Sequence, residues 1–423
     1  MISLAPPAER AILVGAPRKR TNARQLLEEH LGELARLADT AGAAVVGRLT
    51  QQLDRPNSST YLGKGKVDEL KLQIADQQAT LVIFDDELSP AQGKNIEDAT
   101  GTRVMDRAEL ILDIFATRAR TAEARMQVEL AQLEYMLPRL TRMWTHLEKF
   151  RGGIGVRGPG ETQLETDRRL IGQRLKVLRD RLADVTRSRA VQRAGRSGVF
   201  KAALVGYTNS GKSSVLRGLS NAQDIVVEDR LFATLDPLTR EVALDDHARM
   251  LLTDTVGFIR KLPHHLVASF RATLEEVGEA DLLLHVIDAS HPSWEEQRLV
   301  VDEVLAELGV HEKEVLHVFN KTDRLAAAET AGLAERMHGL LPGSVFVSAT
   351  APNGLEPLRL ALVARAESQR PVQEFRIPVS DGRTLAELHR MGDVVDQRAD
   401  GEEMIVRARV DAALAGRLRA MGA

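Results

Sequence analysis

The chain has 423 residues, too many for one hydrophobic core, which predicts about three domains. It contains no cysteine, so a disulfide scaffold and a thiolate metal site are excluded, and a reducing compartment fits. The sequence shows no signal peptide, no lipidation motif and no apolar run of the roughly 18 residues that cross a bilayer, so we expect a cytoplasmic protein without a membrane anchor.

The formal net charge of −3 conceals an uneven distribution of charge along the chain. Between Arg118 and Arg196 there are twice as many Lys and Arg side chains as Asp and Glu, whereas acids predominate in the remainder. A polyanion such as a nucleic acid would be attracted to that one segment.

Residues 1–116 alternate between strand and helix patterns, which predicts an N-terminal α/β domain with a small sheet. Helices are predicted from Asn22, as the cap, to Gly42, at Lys66–Gln77 and at Pro90–Ala99. Strands are predicted at Ala11–Val14, Ala43–Leu49, Thr80–Phe84 and Arg103–Met105.

Two short motifs in this domain contain residues that could bind an ion. Gly63-Lys64-Gly65-Lys66 precedes a helix and could bind an anion, but a solvated loop is favoured for so short a turn. Asp85-Asp86-Glu87 follows a strand and could ligate a metal ion, but an exposed loop is the default interpretation.

Residues 117–196 are predicted to form a helical hairpin. Leucine-rich heptads repeat along two helices, with Pro138 as a potential kink in the first, which is typical of antiparallel packing. The positions in the two seams are Met126, Leu130, Leu133, Leu137, Leu140, Trp144 and Leu147, then Leu164, Ile171, Leu175, Leu178, Leu182 and Val185.

The connection Arg151–Gly160 has five glycines, one proline and no acid, so it cannot be a regular element, and Glu161 is expected to begin the second helix. Glycines allow close backbone approach to a crowded surface, and arginines pair with phosphate. The candidates for RNA contact at this tip are Lys149, Arg151, Arg157, Arg168 and Arg169. A mobile linker with a solvated charge run explains the same residues equally well.

Residues 197–368 begin with an apolar strand, a G-x-x-x-x-G-K-S loop and a helix start, which together predict a phosphate-binding P-loop. The lysine can reach the β- and γ-phosphates, and the serine hydroxyl can hold Mg²⁺. The loop residues are Gly206, Tyr207, Thr208, Asn209, Ser210, Gly211, Lys212 and Ser213.

Two downstream motifs fit the switch loops of such a domain, which contact Mg²⁺ and the γ-phosphate. The segment Phe232, Ala233, Thr234, Leu235 and Asp236 contains one threonine, Thr234, which can reach Mg²⁺. The strand Met250–Thr253 ends in Asp254, Thr255, Val256 and Gly257, where the acid can hold Mg²⁺ through water and the glycine N–H can contact the γ-phosphate. Lys212, Thr234 and Gly257 are therefore the candidate catalytic residues.

The identity of the nucleotide base is predicted from four residues that follow the buried strand Val315–Phe319, namely Asn320, Lys321, Thr322 and Asp323. The Asp323 carboxylate can accept hydrogen bonds from guanine N1–H and N2–H₂, which adenine cannot supply, so the site rejects ATP. Ser348, Ala349 and Thr350 follow the last strand, where a backbone N–H can reach guanine O6. The motifs and their order predict a GTPase domain.

Phe258 occupies the position where Ras-like GTPases carry a water-orienting glutamine. Phenylalanine has no polar group for that task. We therefore expect slow intrinsic hydrolysis that accelerates when a partner orders the switches or donates a group.

Residues 371–423 form a separate tail in which Val372–Val379 and Met404–Val410 alternate like strands, with a helix at Thr384–Met391. These elements predict a small C-terminal α+β domain. A docking module and a cap for the GTPase sheet are equally compatible with it.

These motifs, taken together, resemble the HflX family of ribosome-associated GTPases. The resemblance covers about Ala11 to Ser368 and includes four further stretches, Gly63–Lys66, Phe84–Pro90, Leu112–Phe115 and Gly158–Arg169, the last of them specific to the family. It implies a P-loop GTPase domain joined to an N-terminal α/β domain and a helical hairpin, with Mg²⁺ as cofactor.

The resemblance also implies GTP-dependent binding to the large (50S) ribosomal subunit and splitting of stalled or idle 70S ribosomes, with the hairpin tip approaching ribosomal RNA. We expect a monomer. The alternative function is a nucleotide-independent ribosome- or RNA-binding scaffold, which the intact Lys212, Ser213, Thr234 and Asp254 disfavour. A membrane-tethered signalling G protein is disfavoured because no lipidation motif is visible.

Overall fold

The computed structural model describes residues 8–19, 23–143, 159–194, 199–222, 228, 230–245, 248–262, 276–310, 312–368, 372–410 and 412–420. Contacts divide the chain into two units. The first comprises Met1–Thr186, Asp229–Leu235 and Lys261–Arg271, and the second comprises Arg187–Glu228, Asp236–Arg260 and Ala272–Ala423. Among the described helices, none combines the length and the apolar character that a bilayer crossing requires.

The first unit contains a parallel sheet whose described strands are ordered β2-β1-β3-β4. Parallel neighbours need crossover connections, and helices supply them. The strands are β1 (Arg10–Gly15), β2 (Ala44–Thr50), β3 (Leu81–Phe84) and β4 (Arg103–Asp106). The helices are α1 (Ala23–Thr40), α2 (Lys64–Gln77), α3 (Pro90–Thr100) and α4 (Arg107–Arg118). The predicted small α/β sheet is confirmed.

Helical leucine spacing in α1 produces its buried face, because Leu27, Leu31, Leu34 and Leu37 are all buried. β3 is buried along its whole length, as expected for a central parallel strand. The Asn22 cap predicted for α1 lies outside the described residues.

The Gly63–Lys66 motif is the start of α2 rather than a loop before it. Gly63 is the residue preceding the helix, and Lys64 is the first helical residue, two positions earlier than predicted. Lys66 Nζ lies 2.8 Å from Glu69 Oε1, one turn along the helix.

Asp85 is buried rather than part of an exposed acidic loop, which corrects the default interpretation of that cluster. Its Oδ1 accepts a hydrogen bond of 3.0 Å from Arg107 Nη1, and its Oδ2 lies 2.9 Å from Lys261 Nζ. Arg107 is itself only 2% exposed and also pairs with the buried Glu33. Asp85 therefore belongs to a buried ion network that joins α1, the end of β3 and the start of α4.

The helices α5 (Ala122–Met143) and α6 (Pro159–Ala194) form the predicted hairpin, and α5 continues through Pro138. Leu130, Leu175 and Leu178 are buried in one cluster with partly buried seam residues of both helices. Arg174 pairs with Glu129 at 2.6 Å, and Arg179 pairs with Glu134 at 2.7 Å, so charges flank the leucine seam. α6 begins two residues before Glu161, because proline fits the first helical position.

A cleft of about 600 Å³ in the first unit lies among α3, β4, α4 and α5. Glu109 lines it, and burial, followed by repulsion from Asp106, raises the pKa of this carboxyl to about 7. Asp113 on α4 adds repulsion, whereas the Arg103 guanidinium lowers the pKa. Tyr135 of α5 donates a hydrogen bond of 3.5 Å to Glu109. Glu109 is thus destabilised when it is ionised.

We expect Glu109→Gln to stabilise the protein at about pH 8 by on the order of 1 kcal/mol, allowing for solvent screening, and to flatten its pH dependence. The folded state holds a proton on Glu109 between the unfolded pKa and about 7, so stability falls as pH rises through this window. Urea unfolding at about pH 5 and about pH 8 measures the effect. Glu69→Gln on the surface of α2 is the control, and an equal response of both variants would contradict the prediction.

The second unit contains a mixed sheet whose described strands are ordered β10-β9-β8-β5-β7-β6. Only the pairing of β6 with β7 is antiparallel among these described strands. The strands are β5 (Phe200–Gly206), β6 (Leu238–Ala243), β7 (Arg249–Asp254), β8 (Leu282–Asp288), β9 (Glu314–Asn320) and β10 (Val345–Phe346). β6 is not evident in the sequence, because its position at the sheet edge leaves most of its side chains partly exposed.

Helices cover both faces of this sheet. They are α7 (Lys212–Ser220), α8 (Trp294–Glu307), α9 (Ala327–Leu340) and α10 (Glu356–Ser368). One core cluster includes Leu204, Leu216, Leu284 and Leu362. Another includes Ile287, Trp294, Phe319 and Met337. The strands β5, β7, β8 and β9 run parallel, so their carboxyl ends lie at one edge of the sheet, where ligands bind in open α/β folds.

The C-terminal tail of the second unit folds as an antiparallel sheet of order β11-β13-β12 with two described helices. Its elements are β11 (Val372–Pro378), α11 (Gly382–Met391), β12 (Asp393–Asp400), β13 (Glu403–Arg409) and α12 (Ala412–Ala420). The predicted strands and helix are present, which confirms the α+β class of the tail. β12 and α12 are additions that the sequence analysis missed.

Candidate functional site

The G-x-x-x-x-G-K-S loop joins β5 directly to α7 at the open edge of the six-stranded sheet. Gly206 ends the strand with φ +152°, and a Cβ there would lie 2.3 Å from the Val286 carbonyl oxygen. Gly211 has φ +95°, and its Cβ would lie 2.2 Å from Asn320 Nδ2. Both positions therefore require glycine, because the chain turns while in close contact with its neighbours.

Lys212 is the first residue of α7 and is 6% exposed. Its ammonium group donates hydrogen bonds to the carbonyl oxygens of Gly206 at 3.1 Å and Tyr207 at 2.9 Å. Burial lowers the pKa of Lys212 to about 8, Asp254 opposes this shift, and Lys321 adds to it. The lysine is thus a desolvated cation held inside the loop, where an anionic phosphate would compensate its burial.

Ser213 and Asp254 bring two oxygen ligands together beside the loop. Ser213 Oγ donates a hydrogen bond of 2.6 Å to Asp254 Oδ2, and Asp254 ends β7 with no exposed surface. Thr255 Oγ1 donates to the Leu204 carbonyl of β5 at 2.7 Å, which fixes the end of β7 beside the loop. A hydroxyl and a carboxylate in contact are a donor set that fits a hard cation such as Mg²⁺.

Gly257 and Phe258 pack directly onto the loop. Phe258 N donates to the Gly206 carbonyl at 3.0 Å, and Thr208 N donates to the Phe258 carbonyl at 2.7 Å. A Cβ on Gly257 would lie 2.8 Å from Thr208 Cα and 3.0 Å from Lys212 Nζ. The Phe258 ring is 1% exposed, so its backbone lies at the loop while its side chain lies in the core.

Phe258→Gln is expected to destabilise the GTPase fold without accelerating single-turnover hydrolysis. The variant buries an amide in place of a packed ring, and a buried unsatisfied polar group costs about 1–3 kcal/mol. Thermal unfolding and single-turnover kinetics measure the two effects. Phe258→Leu, which keeps the site apolar, is the control, and faster hydrolysis in the Gln variant alone would show that the side chain reaches the reacting water.

Asn320 ties the end of β9 to the loop from the opposite side. The buried Asn320 Nδ2 donates to the Ser210 carbonyl at 2.9 Å, and its Oδ1 accepts from Ala349 N at 3.0 Å. Lys321 Nζ donates to the Asn209 carbonyl at 2.7 Å and lies 2.7 Å from Asp288 Oδ2. Asp288 was missed by the sequence analysis, although an acid at the end of the apolar run Leu282–Ile287 was a signal that could have identified it.

Asp323 is exposed, and its carboxylate is held from one side. Ser348 Oγ donates to Asp323 Oδ1 at 2.5 Å and lies 3.3 Å from Thr350 Oγ1. Thr322 Oγ1 donates to the Val347 carbonyl at 2.9 Å. An oriented, accessible carboxylate beside backbone N–H groups is an arrangement that can bind the edge of a base with two donors.

The structure therefore brings four predicted motifs together within the second unit, namely Gly206–Ser213, Asp254–Gly257, Asn320–Asp323 and Ser348–Thr350. Asp236 also belongs to this unit, whereas Phe232, Ala233, Thr234 and Leu235 are grouped with the first. In the first unit the Phe232 ring meets Phe115 edge to face, with centroids 4.7 Å apart. The role of Thr234 stays a prediction.

The predicted RNA contacts are only partly described. Lys149, Arg151 and Arg157 lie outside the described residues. Arg168 and Arg169 are exposed on α6, where Lys176 and Arg181 are exposed as well. The described part of α6 thus has several cationic side chains that are exposed to solvent.

Comparison with known families matches three consecutive segments of the chain. The family described as "GTP-binding GTPase N-terminal" matches residues 28–116. "GTP-binding GTPase Middle Region" matches residues 118–196, and "50S ribosome-binding GTPase" matches residues 201–321.

Individual relatives match nearly the whole chain. GTPase HflX of Caldanaerobacter subterraneus is 45% identical over 421 residues, covering 99% of this chain and 95% of the relative. GTPase HflX of Escherichia coli K12 is 43% identical over 365 residues, covering 86% and 85%. A GTP-binding protein from Sulfolobus solfataricus, solved with GDP, is 25% identical with a TM-score of 0.46, covering 85% of this chain and 99% of that one. This chain therefore belongs to the HflX family of 50S ribosome-binding GTPases and is a GTP-hydrolysing enzyme.

Proposed function

We propose that this GTPase binds the large ribosomal subunit in its GTP form and dissociates stalled or idle 70S ribosomes. The observation that carries the proposal is that Asn320 and Lys321 donate hydrogen bonds to the P-loop carbonyls of Ser210 and Asn209. This contact supports a single pocket in which the P-loop would bind phosphate and Asp323 would select guanine. A second support is the exposure of the cationic side chains Arg168 and Arg169 on α6. Membership of a 50S ribosome-binding family supports the same partner.

The GTP site is proposed to use the residues of the motifs in the following way. Backbone N–H groups of Gly206–Ser213 and the Lys212 ammonium bind the β- and γ-phosphates. Asp323 selects guanine, and Ser348, Ala349 and Thr350 complete the base pocket. Phe232–Asp236 and Asp254–Gly257 sense the γ-phosphate, so that GTP and GDP favour different conformations.

The contact between Ser213 and Asp254 supports a Mg²⁺ site, in which Ser213 and Thr234 would be ligands and Asp254 would act through water. When bound, Mg²⁺ supplies positive charge that offsets the charge developing on the phosphate oxygens. Lys212 adds a second positive charge inside the loop, and the buried Phe258 contributes no polar group. We therefore propose slow intrinsic hydrolysis that a partner accelerates.

The helical hairpin is proposed to contact ribosomal RNA through Lys149, Arg151, Arg157, Arg168 and Arg169. Arginine pairs with phosphate in a forked geometry, and such contacts weaken steeply with salt. We also propose that the chain is cytoplasmic, since ribosomes are cytoplasmic. We further propose that it acts as a monomer. Its proposed parts are 1–116, 117–196, 197–368 and 371–423, matching the N-terminal domain, hairpin, GTPase domain and tail.

Binding of the full chain to purified large subunits, measured by co-sedimentation with a non-hydrolysable GTP analogue, with GDP and without nucleotide, tests the proposal. We expect clearly tighter binding with the analogue, and conversion of 70S particles into subunits on sucrose gradients. Equal binding in all three conditions would instead favour the nucleotide-independent scaffold.

Arg168→Gln combined with Arg169→Gln is expected to weaken subunit binding by at least about tenfold and to reduce its salt dependence, because two charge-assisted contacts are lost. The matched control is Arg383→Gln with Arg390→Gln, which removes the same charge from exposed positions on α11. If both double variants bind like the unmodified chain, Arg168 and Arg169 are not the RNA contact.

A further inference from the structure

Three side chains that can ligate a metal ion converge on one face of the six-stranded sheet, and none of them belongs to the P-loop motifs. His285 lies on β8 and His317 lies directly opposite it on β9. Asp302 reaches the same point from α8, which packs on β8. One potential ligand atom from each residue lies within 4.8 Å of the other two.

His285 has an unusual environment for a buried polar side chain. Its ring is 1% exposed, and Nδ1 has no hydrogen-bond partner among the described residues. A buried polar atom without a partner is costly, and such atoms are normally satisfied by protein, water or an ion. Asp302 Oδ1 lies 3.5 Å from His285 Nδ1 but does not form a hydrogen bond with it.

The separation of His285 Nδ1 and Asp302 Oδ1 is compatible with two ligands of one metal ion. Zinc bonds to histidine nitrogen and carboxylate oxygen are about 2.0–2.2 Å long, so two ligands of a tetrahedral ion lie about 3.3 Å apart. The 3.5 Å between His285 Nδ1 and Asp302 Oδ1 is close to that separation. The centroids of the two imidazole rings are 5.5 Å apart, and one ligand atom of each ring lies within 4.8 Å of the others in the set.

Burial, with smaller effects from nearby charges, favours the neutral form of both imidazoles, which is the form that can ligate a metal ion. Burial lowers the pKa of His317 to about 4, with Arg298 adding to the shift. Burial is also the main cause of the lowered pKa of His285, and electrostatic repulsion from His317, Arg298 and Lys212 lowers that pKa further. Arg298 Nη1 holds Asp302 Oδ2 at 2.6 Å, which orients the carboxylate and leaves Oδ1 directed at His285. The same guanidinium opposes any cation and limits the affinity of the site.

We propose that His285, His317 and Asp302 form a binding site for a divalent transition-metal ion, with Zn²⁺ the best match. Two imidazoles and one carboxylate suit Zn²⁺, whereas Mg²⁺ prefers oxygen ligands and is assigned to the phosphate site. The Asp302 side chain is 37% exposed, so the ion can enter from solvent and water can fill the fourth position. The ion cross-links the neighbouring strands β8 and β9 and the helix α8, so its binding stabilises the GTPase domain.

Zinc binding to the tag-free, chelator-stripped, nucleotide-free full chain tests this site. Competition with a chromophoric chelator gives stoichiometry and affinity, and thermal unfolding gives the linked stabilisation. We expect one site in the unmodified chain and a rise in Tm of about 5 °C when Zn²⁺ is present at about 100 times its Kd. Substituting Co²⁺ should give visible absorption bands of a low-symmetry N,O site.

Asp302→Asn and His317→Gln should each weaken Zn²⁺ binding at least about tenfold and remove the Tm shift. His338→Asn, which removes an exposed histidine of α9, should leave both unchanged. Circular dichroism and GDP binding confirm that each variant is folded. If His317→Gln fails to fold, the zinc affinity and the Tm shift of Asp302→Asn, which changes a partly exposed residue, decide whether the site exists.

The proposal is overturned if the unmodified chain shows no saturable zinc site. It is equally overturned if either folded variant binds Zn²⁺ with unchanged affinity and Tm shift, because a three-ligand site cannot lose a ligand without effect.

Discussion

Asp323→Asn is expected to change the preferred base from guanine to xanthine. The Asp323 carboxylate offers two acceptors to the two donors on the guanine edge. An amide offers one acceptor and one donor, which matches xanthine, where a carbonyl replaces the exocyclic amine. Each hydrogen bond to a charged group contributes about 1.5–3 kcal/mol, so GTP affinity should fall by at least about 100-fold while affinity for xanthosine triphosphate rises.

Direct titration of each protein with GTP and with xanthosine triphosphate, followed by calorimetry, measures this change. Ser348 Oγ, which donates to the Asp323 carboxylate, can donate equally to the amide oxygen of the variant, so the loop geometry should persist. Asp54→Asn, an isosteric change at an exposed residue of the first unit, is the control. Unchanged preference for GTP in the Asp323 variant would show that this carboxylate does not select the base.

Arg107→Ala is expected to destabilise the first unit by about 3–5 kcal/mol, the typical cost of removing one partner from a buried ion pair. The Arg107 guanidinium separates the buried carboxylates of Glu33 and Asp85. Alanine leaves both acids buried, with Lys261 near Asp85 as partial compensation. The expected decrease in the free energy of unfolding is therefore much larger than the decrease for removing one partner of a surface ion pair.

Urea unfolding of the full chain, followed on the first transition by circular dichroism, measures this loss. Arg48→Ala removes an exposed ion pair in which Arg48 Nη1 lies 3.5 Å from Glu28 Oε2, and it should lower the free energy of unfolding by less than about 1 kcal/mol. Adding Glu33→Gln to Arg107→Ala should recover part of the stability, since one buried charge is removed. Equal losses for Arg107→Ala and Arg48→Ala would contradict the buried-network account.

Elements with strong local signals were predicted well. The apolar strands that became β1, β3, β5, β8 and β9 and the leucine-spaced helices were found near their observed positions. β6 and β12 were missed because both are edge strands that pair on one side only, and their side chains are largely exposed. An edge strand depends on its neighbour for backbone hydrogen bonds, so its own residues need not show a strand pattern.

The candidate site shows the same division. Gly206, Gly211 and Lys212 could be found from spacing alone, because the P-loop is a continuous segment with fixed requirements at each position. Asp288 was not found, since its partner Lys321 follows a different strand, β9. The burial of Phe258 was also not predicted, because a short segment at a strand end does not reveal which side of the backbone faces the core.

By itself, the sequence determined the fold class, the order of the GTPase motifs and membership of the HflX family, because these depend on local periodicity and on contiguous residues. Only the tertiary structure decided that Asp85 is buried with Arg107, that the Phe258 ring lies in the core, and that His285, His317 and Asp302 meet on one sheet face. These facts join residues that are distant in the chain. Strand register and helix packing place such residues together, and neither can be derived from any one segment.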